Sequence, residues 1–164
     1  MEHAAPGLMW ARAIEHSAVA QSVRESLWIY PLANTTHVLA IAMLLGAIVV
    51  FDLRILGALG AGRAADAARM ALPVARLGFV FAVPSGLVMF IAEAAAYLAN
   101  PVFLAKLGAI AAAALNLALF HAGSFRRIDD WPDRAPPPSA KLAGAVSLAA
   151  WTLAALCGRL AAYF

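Results

Sequence analysis

Charge is scarce in this chain: 13% of its 164 residues are Asp, Glu, Lys or Arg, about half the roughly 25% found in soluble domains. With 64% hydrophobic residues and a mean hydropathy of +0.82, that scarcity excludes water as the main solvent. Cysteine is nearly absent. Cys157 stands alone in an apolar run, which excludes a disulfide within the chain and suits a buried, inert thiol. No Cys-x-x-Cys, His-x-x-x-His or close methionine pair occurs, so no ready-made metal-ligand spacing exists. A Gly-rich phosphate loop and a Ser, His and Asp set at one depth are missing too, leaving an enzyme without positive support. The basic balance, pI about 9.5, does not signal nucleic acid, because Lys and Arg fall in pairs at the ends of apolar runs as topology signals do.

What the chain has instead is long apolar runs. From Pro31 to Gly57, fourteen residues without a polar side chain, Val38 to Phe51, lie between His37 and Asp52. At about 1.5 Å per residue this stretch covers roughly 40 Å, enough to cross a hydrocarbon core of about 30 Å. Three more such runs follow, so the predicted spans are 31–57, 69–99, 102–125 and 141–164, within a single domain 1–164. Pro73 and Pro84 predict an early bend and a mid-span kink in the second, and Asn100-Pro101 predicts a tight turn before the third. Met1 to Tyr30 lacks the layout of a signal peptide. Residues 7–27 mix Trp10, Ile14, Val19 and Val23 with charged residues, the pattern of an amphipathic helix on the bilayer surface. The expected fold is all-α, an integral membrane four-helix bundle with an N-terminal amphipathic surface helix. Small residues every fourth position, Gly78, Ala82 and Gly86, Gly108 and Ala112, and Ala150, Ala154, Gly158 and Ala162, fit close helix packing in lipid.

Depth sorts the ionisable residues into two layers. His37, Glu93, Lys106 and Arg159 each lie five or six residues from one end of their span, roughly 8 to 9 Å inwards. Ionisable groups inside spans normally face the bundle interior and pair, so these four form a candidate ligand-binding layer. The competing reading is an ion-pair knot in which Lys106 and Arg159 snorkel and Glu93 is a counterion. Near the opposite ends lie Asp52, Arg54, Arg76 and His121, where Asp52 with Arg76 is expected to be a structural charge pair between spans one and two.

Two intramembrane histidines invite a b-type haem, but His37 and His121 are separated by about 20 Å along the bundle axis and cannot share an iron. A haem would need His37 alone or with His16, with Lys106 and Arg159 suiting its propionates. Copper would use His37, Met43 and Met89. It is disfavoured by the net positive charge of the layer.

The segments ESLWIYPLANTTHVLAIAMLLGAIVVFDLRILG, GLVMFIAEAAAYLANPVFLAKLGAI, ALNLALFH and AAWTLAALCGRLAAYF together resemble a bacterial family of small four-span inner-membrane proteins that carry a domain of unknown function. The elements are His37, Asp52 to Arg54, Asn100 to Lys106 and Gly158 to Tyr163. At greater distance the chain is similar in architecture to copper-resistance D-type membrane domains. The resemblance implies a bacterial inner-membrane protein of four spans and no particular activity.

The sequence thus points to a non-enzymatic inner-membrane protein, an accessory subunit or small-ligand handler, with the lipid bilayer as its surroundings and a membrane-protein partner or second copy as its candidate partner. The alternatives are a b-haem electron-transfer protein using His37 and a transporter of copper or a small solute. Basic residues number eight on the side of the two inter-span connections (Arg54, Arg63, Arg69, Arg76, Arg126, Arg127, Arg134, Lys141) and four on the other (Arg12, Arg24, Lys106, Arg159), which places both termini in the periplasm. A carboxyl-terminal alkaline phosphatase fusion is expected to be active and a green fluorescent protein fusion dark; the reverse pattern overturns this orientation.

Overall fold

The computed structural model describes residues 8–60, 62–131 and 136–163. Among them there are helices and no strand, and four helices are long and apolar enough to cross a membrane. In order these are α1 (Met9–Glu15), α2 (Ala18–Glu25), α3 (Ile29–Leu56), α4 (Ala64–Ala92), α5 (Ala94–Ala99), α6 (Pro101–Ala122) and α7 (Pro138–Leu160), with a 3-10 segment, Ser124–Asp130, after α6. The chain is an all-α four-helix bundle.

The local signals explain most boundaries. Gly57, at φ 84°, ends α3; its N–H bonds Arg54 O and that of Ala58 bonds Leu53 O, a Schellman closure that only a residue tolerant of positive φ allows cheaply. Asn100 starts α6 by accepting from the N–H groups of Val102 and Phe103 at 2.9 and 3.2 Å, and Pro101 at the first helical position has no N–H to lose. The same side chain donates to Ala161 O at 3.0 Å, tying the start of α6 to the end of α7. α4 continues through Pro73 and Pro84.

The third and fourth spans, predicted at 102–125 and 141–164, are Pro101–Ala122 and Pro138–Leu160, and two other elements differ more. The predicted surface helix 7–27 is two short helices: Ser17 accepts from Ala20 N–H at 3.2 Å and restarts the chain after His16, while Gly7 lies outside the described residues. The predicted span 69–99 begins at Ala64 and ends at Ala92, because Glu93 leaves the helical region (φ −143°, ψ 43°) and splits off α5. That break is held from a distance. Arg24 donates to Ala92 O and Glu15 O, both at 2.8 Å, and the Glu15 carboxylate accepts from Ala95 N–H at 2.9 Å. A cation thus sits on the last carbonyl of α4 and an anion on one first-turn N–H of α5, each the charge that a helix end favours. Ala11, Ala20, Ala92 and Ala94 are buried where these pieces meet, so α1 and α2 form a protein-packed cap rather than only a raft on lipid.

The long helices make two antiparallel hairpins, α3 with α4 and α6 with α7, joined where α3 packs on α7. α4 presents Ala71, Ala75, Gly78, Ala82 and Ser85 to α3. A Cβ on Gly78 would come within 2.7 Å of both Ala40 O and Leu44 N, so the two backbones touch there. Gly144 of α7 similarly lies over Asp52 O, 3.5 Å from where its Cβ would be. The expected Gly108 and Ala112 stripe is exposed instead; Ala109 and Ala113, one position along, are the buried pair on α6. α4 and α6 do not pack along their lengths. The gap between them is bridged at the connecting-loop end, where Arg63 donates to Asp129 O at 2.7 Å and Arg69 to the Asp129 carboxylate at 2.8 Å. Arg134, one of the eight basic topology signals, lies outside the described residues.

A cleft between α4 and α6 as the candidate functional site

The gap between α4 and α6 is a cleft of about 490 Å³ in the connecting-loop half of the bundle, partly open at the side. Its walls are apolar, with Leu44, Ile48 and Phe51 from α3, Phe79 and Val80 from α4, Ala113, Ala114 and Leu117 from α6, and Trp151 from α7. That volume lies within the range of small-ligand sites, which are typically apolar with a few placed polar groups. In this cleft those groups are Asp52, Arg76, Asn116, His121 and Ser147.

Asp52 is the unusual one. Its residue is 4% exposed, Ser147 lines the same cleft, and Oδ2 is enclosed without any hydrogen-bond partner. A buried polar atom left unpaired costs on the order of 1 to 3 kcal/mol, more when charged, so its retention needs a cause. Asn116 lies at the same depth: its Nδ2 donates to Ala143 O at 2.9 Å, next to the Gly144 that rests on Asp52, and its Oδ1 stays available as an acceptor. His121 lies at the loop end of the cleft; its Nδ1 donates to Leu117 O at 3.0 Å and its ring packs, tilted, on Phe125 with centroids 4.4 Å apart.

The expected Asp52–Arg76 pair does not form: no ion pair joins them among the described residues. Register is the reason. Gly78 rests between Ala40 and Leu44, so in this antiparallel pair Arg76 is level with about Leu44, eight residues or about 12 Å of axial rise from Asp52. Both line one cleft at different heights.

None of His37, Glu93, Lys106 and Arg159 lines the cleft. No ion pair links them among the described residues, so the expected Glu93 counterion to Lys106 or Arg159 is absent. Each has its own local surroundings. Glu93 is exposed at the α4–α5 break. Arg159 donates to the Tyr163 hydroxyl at 2.8 Å. The Lys106 Nζ lies 5.5 Å from the Phe103 ring centroid, a cation on an aromatic face, and Phe103 in turn packs on Tyr97 at 4.9 Å and Phe90 at 6.1 Å. His37 donates from Nδ1 to Ala82 O at 2.9 Å and meets Ser85 Oγ at 3.2 Å. Ser85 itself donates to Phe81 O at 2.6 Å. Both side chains thus donate to carbonyls in the turn that precedes Pro84. His16 occupies the exposed α1–α2 turn, and among the described residues no three His, Cys, Asp or Glu side chains converge as a metal site.

Asn116, Ser147 and Trp151 are the residues that sequence reasoning passed over. Their signal was depth: sorting uncharged polar residues as the charged ones were sorted puts Asn116 and Ser147 near Asp52. No family model, curated protein or solved structure matches the chain.

Because Glu93 pairs with neither cation, Glu93→Gln is expected to melt within about 0.5 kcal/mol of the wild type in detergent, whereas Arg24→Ala, which strips Ala92 O and Glu15 O of their donor, should cost about 1 kcal/mol or more. Equal losses for the two variants would restore the ion-pair reading of Glu93.

Proposed function

We propose that this chain is a non-enzymatic integral membrane protein that holds a small lipophilic molecule, taken sideways from the bilayer, in the cleft between α4 and α6. The observation that carries the reading is the Asp52 carboxyl, enclosed with Oδ2 unpaired on the wall of an otherwise apolar cleft. Ionisable groups at membrane depth mark functional sites more often than not. The opening faces the side on which Phe79 and Val80, 52% and 61% exposed, would meet acyl chains. We place the protein in a bacterial inner membrane with both termini periplasmic, as an accessory subunit or ligand handler similar to the four-span family that its sequence resembles.

A second reading has one specific observation behind it. Because His37 Nδ1 donates to a backbone carbonyl, its Nε2 carries the lone pair, the arrangement of a histidine prepared to bind a metal. A b-type haem held through His37 would use it, and the copper reading would need ligands beyond it.

Native mass spectrometry after extraction in mild detergent separates these readings. The cleft reading expects a co-purifying lipophilic mass on the wild type that is lost in Ala114→Phe, a change on an exposed cleft-lining position. A protein with no such mass, but with a Soret band abolished by His37→Ala, would replace it with the haem reading.

A further inference from the structure

Resting on that reading of the cleft, we infer that its occupant is a lipophilic amine, an ammonium head with an apolar tail, the head seated against Asp52. The polar groups near Asp52 are short of donors, not acceptors. Asp52 Oδ2 is enclosed and unpaired, and Asn116 has committed its amide N–H to Ala143 O, which turns its carbonyl oxygen toward acceptance. The Ser147 hydroxyl, which lines the same cleft, offers a single proton. A buried carboxylate is tolerated when a cation with N–H donors satisfies it. The chain's own candidate, Arg76, is displaced by about 12 Å of axial rise and forms no ion pair among the described residues.

Depth fits the same occupant. Asp52 lies four residues from Leu56, the end of α3, or about 6 Å of rise, which is where a lipid's polar head resides near the interface. From there the cleft runs toward mid-bundle past Phe51, Ile48, Ala113 and Phe79, surfaces suited to a hydrocarbon tail. An anionic amphiphile would set its charge beside the Asp52 carboxylate. A neutral alcohol would offer a single donor and no charge.

Two sources share this chemistry, a free long-chain amine and an aminophospholipid. The test uses the full-length protein in a maltoside detergent and reads melting temperature and apparent affinity at matched micellar mole fractions. The probes are dodecylamine, dodecanol, dodecanoate, dodecyltrimethylammonium and phosphatidylethanolamine against phosphatidylcholine. Dodecylamine should stabilise the wild type and bind roughly tenfold or more tightly than dodecanol, the ratio expected for one charge-assisted hydrogen bond. Dodecanoate and the trimethylammonium compound, which has charge without N–H donors, should rank below the amine. Asp52→Asn should erase the amine's advantage, and Ala114→Phe should erase all binding, which controls for effects on the micelle. Phosphatidylethanolamine surpassing phosphatidylcholine identifies the lipid as a source; indifference to both lipids assigns the site to free amines. Should Asp52→Asn fail to fold, the wild-type ranking decides alone. Equal binding of amine and alcohol, or an amine preference that survives Asp52→Asn, overturns the inference while leaving an apolar cleft. If none of the probes binds, the cleft reading falls with it.

Discussion

Gly78 rests on the backbone of α3, and the rest of the bundle follows from that contact. In lipid there is little hydrophobic gain from bringing helices together, so close packing decides which faces meet. A hydrogen at this position lets α4 settle between Ala40 and Leu44; Ala71, Ala75 and Ala82 extend the fit in both directions. With its small face spent on α3, α4 turns Phe79, Val80, Phe81 and Leu87 outwards. α6 is committed to α7 in the same way. Between the long helices the two hairpins therefore meet chiefly along the α3–α7 seam, with Phe51 against Phe120 beside it, and the space left between α4 and α6 is a cleft instead of a fourth interface.

The two ends of the bundle are each closed by polar contacts, those at the connecting-loop end lying beside the cleft. At the loop end Asp129 receives Arg63 and Arg69. At the other end Arg24 and Glu15 clamp the α4–α5 break, and Asn100 ties the start of α6 to Ala161 O. Access from the side remains. A membrane protein with closed ends and an open flank exchanges with the bilayer more readily than with water, which is the physical basis of our proposal of a lipophilic occupant.

The four spans and the fold class were legible because run length and hydropathy fix them locally. Gly78, Ala82 and Gly86 were legible as a stripe for the same reason. Gly108 and Ala112 misled because an alanine-rich helix offers several small faces, and only the partner decides which is buried. The break at Glu93 was hidden, since its stabilising contacts come from Glu15 and Arg24, far away in sequence. The Asp52–Arg76 pairing failed for want of register: both residues do reach the cleft, but the position of Gly78 on α3 offsets them. Depth placed His37, Glu93, Lys106 and Arg159 at one level, yet depth alone could not reveal that no ion pair joins them among the described residues: Glu93 is exposed at the α4–α5 break and Arg159 turns to Tyr163.

Detergent melting of Gly78→Ala beside Gly108→Ala shows whether the bundle depends on that one backbone contact. Both substitutions add the same methyl group and the same helix propensity, up to about 1 kcal/mol in favour of alanine. At Gly78 the methyl would lie 2.7 Å from Ala40 O, whereas at Gly108 nothing lies within 4 Å. Gly78→Ala is therefore expected to lose about 1 to 3 kcal/mol through overpacking, while Gly108→Ala is unchanged or slightly more stable. If the two variants melt together, α3 and α4 are not held by this contact, and the cleft does not originate in the seating of Gly78 on α3.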